Sequence, residues 1–180
     1  MKTYISILRG INVSGKNSIK MGDLKKLYKN LGFKNISTYV QSGNVIFSSE
    51  YNDTKKIEDI LTSQIKQEFG FTVPVIVLTI EELKESIENN PFQKDKEEAF
   101  IYFTFLASEP SNHNKENIYN KKAENEAIVI KERIVYLYCP NGYGRTKLTN
   151  TFLENILNVI VTTRNFKTTN RLLEIAEQLK

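Results

Sequence analysis

The chain has one cysteine, one histidine and no tryptophan. One cysteine rules out an internal disulfide, and Cys139 with His113 falls short of the four ligands of a structural zinc shell. No metal site and no cofactor are implied. Ser-His-Asp or Cys-His chemistry would have to use His113, which lies in the polar stretch Ser111-Asn112-His113-Asn114 and reads as a surface residue. Long apolar runs are also missing. Runs such as Ile156 to Val161 are short and broken, here by Asn158, so no segment is expected to span a membrane. The residues before Arg9 are too few for a signal peptide, and the expected location is the cytoplasm. No sign of charge dominates: 25 Lys and Arg stand against 21 Asp and Glu, and the net +4 is spread along the chain. That balance permits an anionic partner without requiring one.

What is present is an alternation of short β-rich and amphipathic stretches. Tyr4 to Leu8 reads as a strand. Met21, Leu24, Leu27 and Leu31 recur at helical spacing, closed by Gly32. Ile36, Thr38 and Val40 begin a strand of period two, Ser42-Gly43 turns it, and Val45 and Phe47 continue in the next. Asp53 or Thr54 caps a helix with the apolar face Ile57, Ile60, Leu61, Ile65 and Phe69, ended by Gly70. Phe71 to Leu78 is a strand that Pro74 places at a sheet edge. Thr79 with Glu82 forms a capping box for a helix to about Asn90. Pro91 and the charged run Gln93 to Glu98 read as a linker.

The same order then returns. Phe100 to Leu106 is a strand, and Ser111 to Ala123 a weak helix. Ala127 to Ile130 and Ile134 to Cys139 form a hairpin, followed by a helix around Leu153, a strand from Val159 to Thr163 and a helix from Thr168 to Leu179. The expectation is an α+β protein of two tandem ferredoxin-like halves, residues 1–91 and 98–180, each a βαββαβ unit with an added helix. Each half has an antiparallel sheet with helices on one face.

That topology has a consequence. The loop after the first strand and the hairpin joining the second and third leave the same end of the sheet. Leu8-Arg9-Gly10-Ile11-Asn12-Val13-Ser14-Gly15-Lys16-Asn17 is therefore expected beside Gln41-Ser42-Gly43-Asn44. Glycines, cations and amides of this kind present backbone N–H groups and positive charge to something negative or polar. The same residues also suit tight turns held by their own asparagine side chains.

The chain resembles a bacterial family known only as a domain of unknown function. The resemblance rests on Leu8-Arg9-Gly10-Ile11-Asn12-Val13 with Gly15-Lys16-Asn17, on Gln41-Ser42-Gly43-Asn44-Val45, on Asn90-Pro91-Phe92, on Thr146-Lys147-Leu148-Thr149-Asn150 and on Thr162-Thr163-Arg164-Asn165. These run in the family's order over nearly the whole chain. Ser14 stands where the family usually has glycine, and Phe166 where an aromatic such as tryptophan is common. The resemblance implies an α+β fold with ferredoxin-like halves and no activity. It offers the motif residues as site candidates without roles.

Several chemistries can be weighed on the residues themselves. Gly10-x-x-x-x-Gly15-Lys16-Asn17 approaches a phosphate-binding P-loop but has Asn17 where a magnesium-binding hydroxyl is required, and the helix starts too late. An anion site in the same loop does not need that hydroxyl. Its candidate ligand-binding residues are Arg9, Gly10, Asn12, Gly15, Lys16, Asn17, Gln41, Ser42 and Asn44. A second candidate anion site is Arg145, Lys147, Arg164 and Asn165. The loop carrying the first pair is expected to leave the opposite end of its sheet from Thr163-Arg164-Asn165. Glu81-Glu82, Asp95 and Glu97-Glu98 read as helix-start and linker charges, and no catalytic residue is assigned. Tyr102, Tyr136 and Tyr138 would form a stacking platform for single-stranded nucleic acid if they shared an open face. Burial against the other half is the favoured alternative. The expected function is binding of an anionic small molecule, phosphorylated or nucleotide-like, at the polar loops of the N-terminal half. The alternatives are single-stranded nucleic-acid binding, and a structural or protein-interaction role with no ligand.

Overall fold

A computed structural model describes residues 1–111 and 115–179. The chain divides into two compact units, Met1–Glu85 with Arg171–Lys180, and Ser86–Asn170.

The first unit contains β1 (Lys2–Leu8), α1 (Met21–Asn30), β2 (Lys34–Tyr39), β3 (Asn44–Ser49), α2 (Thr54–Phe69) and β4 (Val75–Thr79). Helix α3 (Ile80–Glu88) follows directly. The sheet runs β2-β3-β1-β4, antiparallel at every pairing, which is the ferredoxin-like order. Leu24, Leu27 and Tyr28 of α1 and Ile57, Leu61 and Ile65 of α2 pack with Tyr4, Leu8, Val45, Phe47, Val75 and Val77 on one face of this sheet. Period two in the strands and helical spacing in α1 and α2 thus meet in one core. Ser6 and Tyr28 share a buried hydroxyl–hydroxyl bond of 2.7 Å that ties α1 to the central strand.

Local chemistry sets the element ends. The Asp53 carboxylate accepts from the N–H groups of Lys55 and Lys56, and Gly70 ends α2 at φ +81°. Thr79 and Glu82 exchange capping-box bonds of 2.8 and 3.1 Å. Strand β4 starts after Pro74 rather than at Phe71, because proline has no N–H for the ladder. It does occupy an edge of the sheet. Strand β2 ends at Tyr39, and Val40 lies beyond it at φ 51°.

The second unit repeats the plan with β5 (Ile101–Leu106), α4 (Lys115–Lys121), β6 (Ala127–Lys131), β7 (Ile134–Tyr138), α5 (Asn150–Leu157) and β8 (Val161–Asn165), and α6 (Phe166–Gln178) follows. Its sheet order is β6-β7-β5-β8, again antiparallel throughout. Ile118 of α4 and Leu153 and Leu157 of α5 pack with Leu106, Ile128, Val135, Leu137 and Val161. The architecture is α+β in two similar ferredoxin-like halves. Among the described residues, no helix is long and apolar enough to cross a membrane.

Candidate functional site

The two polar loops of the first unit meet at one rim of its sheet. The Leu8 N–H donates to Gly43 O at 2.9 Å, and Asn12 Nδ2 donates to Gln41 O at 2.8 Å. The Arg9 N–H donates to Pro74 O at 2.9 Å, fastening the start of the loop to the segment entering β4.

The asparagines hold this rim in shape. Asn12 Nδ2 also donates to Ile19 O, and Asn12 Oδ1 accepts from the Ile19 N–H, both at 2.9 Å. Asn17 Nδ2 donates to Gly10 O at 3.3 Å. Asn44, fully buried, donates from Nδ2 to Tyr39 O and to Ser42 Oγ, each at 3.0 Å. Gly10, Asn12, Ser14, Gly15 and Asn17 all have positive φ. The Lys16 N–H donates to Val13 O at 3.0 Å, closing a tight turn over Ser14 and Gly15 whose φ values, 51° and 74°, are those of a type I′ turn. Lys16 and Gln41 are exposed, and Arg9 and Ser42 are half-buried. An ideal Cβ on Gly10 or Gly15 would meet nothing within 4 Å, so these glycines serve backbone conformation and leave the peptide surface uncovered.

The second group of candidates is arranged differently. Strands β7 and β8 both run antiparallel to β5, with Ile101 opposite Tyr138 and Tyr102 opposite Asn165. They are therefore parallel to each other. The loop after β7 and the end of β8 emerge at the same end of the sheet, not at opposite ends as the sequence-based expectation had it. Arg145 and Lys147 are exposed there. Arg164 lies in register with Phe103, whereas Asn165 lies in register with Tyr102 on the other face. Arg164 is buried and donates from Nη1 to Thr162 Oγ1 at 3.0 Å and to Thr163 O at 2.9 Å. Asn165 Oδ1 accepts the Thr168 N–H at 2.8 Å, capping α6. Sequence reasoning passed over a hydrogen-bonded group beside them. Thr163 Oγ1 contacts Thr104 Oγ1 at 2.7 Å and donates to Asn150 Oδ1 at 2.6 Å, and the Tyr143 hydroxyl lies 3.2 Å from both Asn150 Oδ1 and Thr163 Oγ1, with one proton to give to either. Strand register sets Thr104 opposite Thr163, and the connection from β7 to α5 brings Tyr143 and Asn150 to them.

The tyrosine platform does not assemble. Tyr136 pairs with Phe103 and Tyr138 with Ile101, but Tyr102 pairs with Leu137 and so projects from the opposite face. Tyr136 is buried, and its hydroxyl donates to Ser86 O at 2.9 Å. His113 lies outside the described residues. Cys139 is fully buried, and burial, reinforced by the negative charge of Glu126, pushes its thiol up to about 11 against the pull of a hydrogen bond with Thr146. It is no nucleophile at neutral pH.

A cavity of about 560 Å³ lies at the opposite rim of the first sheet, lined by Thr3, Asn35, Ser48, Thr79, Glu81 and Leu179 among others. Its lining mixes hydroxyls, an amide, a carboxylate and apolar carbons and favours no one ligand chemistry.

No curated protein matches the chain. Among solved structures it is similar to the conserved bacterial protein SP0830 from Streptococcus pneumoniae, with a TM-score of 0.72 and 23% identity over 99% of this chain and 98% of that one. At that identity the likeness is one of fold. The family model described as protein of unknown function (DUF1697) matches residues 1–136, a stretch that contains the whole polar rim and its sheet, and the chain belongs to that family.

Proposed function

We propose that the rim formed by residues 9–17 and 41–44 binds an anionic small molecule of the phosphorylated or nucleotide-like class. The observation that carries this reading is a division of labour. The amides of Asn12, Asn17 and Asn44 are engaged in bracing the loops, while the Lys16 and Gln41 side chains stand exposed at the rim. In this reading Arg9 and Lys16 supply positive charge and Gln41 orients the ligand. Ser42, bonded to Asn44, is a lesser contact. Gly10, Asn12, Ser14, Gly15 and Asn17 adopt the left-handed backbone that occurs in anion-binding nests, while the Asn12 and Lys16 N–H groups bond within the loop. Asn12, Asn17 and Asn44 are positioning residues. Binding is the whole of the proposal, and no reaction is assigned.

The test is a thermal-shift series at low salt with inorganic phosphate, sugar phosphates and nucleotides. A bound ligand raises Tm with concentration by mass action, and Arg9→Ala and Lys16→Ala should each remove the shift. No shift with any of these compounds would overturn the reading. The asparagine bracing also favours a second reading, in which the polar motifs serve only loop conformation. Under that reading Arg9→Ala lowers Tm, and no anion raises it in the parent protein. Binding to single-stranded nucleic acid would fall steeply with salt, and it would have to use the basic loops without the tyrosine face.

A further inference from the structure

We infer that the ligand of this rim is an organic phosphate with an apolar or aromatic body, and that Val13 and Val40 contact that body. The inference rests on the anion-site reading above and adds the chemistry beyond the charge.

Six large apolar side chains among the described residues are strongly exposed, and two of them are Val13 at 58% and Val40 at 48%. Each is one residue from the hydrogen bond that joins the loops, Asn12 Nδ2 to Gln41 O at 2.8 Å. Val40 thus directly precedes Gln41, and Val13 opens the turn that carries Lys16, so both exposed valines belong to the two loops that this bond joins.

Val40 is costly to the fold twice over. Its φ is 51°, and it is the only β-branched residue among the non-glycine positions of positive φ that are described. A left-handed backbone costs an L-residue about 1–2 kcal/mol, more where Cβ is branched, whereas asparagine or glycine adopts it readily. Burial would offset that strain, but the side chain is half in solvent. Strain that folding does not recover marks a position set by something else. A bare anion would have no use for two isopropyl groups. An ester carrying hydrocarbon or a ring would cover both while its phosphate met Arg9 and Lys16.

Titration of the full chain with inorganic phosphate and with phenyl phosphate, followed by the amide signals of Gly10, Gly15 and Gly43, tests this. Phenyl phosphate should bind about tenfold tighter than inorganic phosphate. Val13→Ala and Val40→Gly should each bring the two affinities close together, and Val40→Gly should at the same time raise Tm. Val40→Asn, which also suits the left-handed backbone, supplies a second variant at the strained position. Equal affinities in the parent protein, or a preference unchanged in the valine variants, would overturn the apolar contact and leave the anion site standing. If neither probe moves the rim signals, the anion site falls and this inference with it.

Discussion

Gly43 rests directly on Ile11: a Cβ built on Gly43 would lie 2.7 Å from Ile11 Cδ1, and equally 2.7 Å from Leu8 Cβ. This is where the β2–β3 turn closes on the loop after β1, and its φ of +81° adds backbone strain to any larger residue. Leu8 belongs to a central strand paired on both sides and has little room to give. Gly43→Ala should therefore cost about 2–4 kcal/mol in urea unfolding. Gly10→Ala and Gly15→Ala put their methyl groups into open space and should each cost about 1–2 kcal/mol, from φ alone. Equal losses at all three positions would mean that the turn yields instead of clashing.

The Asn12 side chain makes three bonds, two of them donated to carbonyl oxygens, Ile19 O and Gln41 O. Asn12→Asp keeps the acceptor for the Ile19 N–H but turns a carboxylate toward those carbonyls. The expected cost near neutral pH is about 2–3 kcal/mol. The introduced acid is favoured in its protonated form on folding, so its folded pKa is raised above the unfolded value near 4. The deficit relative to the parent protein is then smallest at pH 3 and grows as pH rises past about 4. Paired Tm measurements at pH 3 and pH 7 check the sign.

Glu58 guards the edge strand. Its Oε1 accepts the Val77 N–H at 2.9 Å, and its Oε2 accepts from Lys55 Nζ at 3.0 Å, with the carboxylate buried beneath α2. Strand β4 has no neighbour on that side, so without Glu58 a buried N–H goes unsatisfied. Glu58→Ala should lose about 2–3 kcal/mol and the hydrogen-exchange protection of the Val77 amide. Glu58→Gln retains an acceptor and should lose less than half as much. Unchanged Val77 protection in the alanine variant would show that another group takes over.

The readable parts of the sequence are those where side-chain periodicity and the order of elements act together. Alternation through Tyr4 to Leu8, helical spacing from Met21 to Leu31 and the Thr79–Glu82 box each correspond to an observed element. The order of those elements alone brings residues 9–17 beside 41–44. What stayed hidden turns on single-residue parity or on dihedral angles. Val40 continues the period of Ile36 and Thr38 in the sequence, yet the strand stops before it. The sequence invites grouping Tyr102 with Tyr136, but a shift of one in register decides which face each takes. Asparagine gives no sign in sequence of whether it will brace a loop or face a ligand, since its amide suits both. The bonds made by Asn12 and Asn44 decide that only in three dimensions.

Cys139 gives the pH dependence its sign. In the folded chain burial is the main force holding the thiol protonated, Glu126 adds to it, and the bond with Thr146 opposes both, so ionisation moves from an ordinary value of 9.0 up to about 11. The unfolded chain releases this proton first. Between pH 9 and pH 11 the native state therefore holds a proton that the unfolded state has lost, and stability falls as pH rises through that window, levelling above it. Tyr28 acts in the same direction, because burial raises its hydroxyl despite the bond to Ser6, but it starts from 10.0 and its effect comes later. Cys139→Ala should remove the early part of the alkaline decline. The stability difference between variant and parent, measured by urea midpoint at half-unit steps from pH 8 to pH 11, should shift steadily in the variant's favour above pH 9. A thiol reagent should leave the native protein unmodified at pH 8 and react once it is unfolded. A difference that stays constant across the range, or rapid native-state labelling, would mean that the thiol is not held protonated in this core.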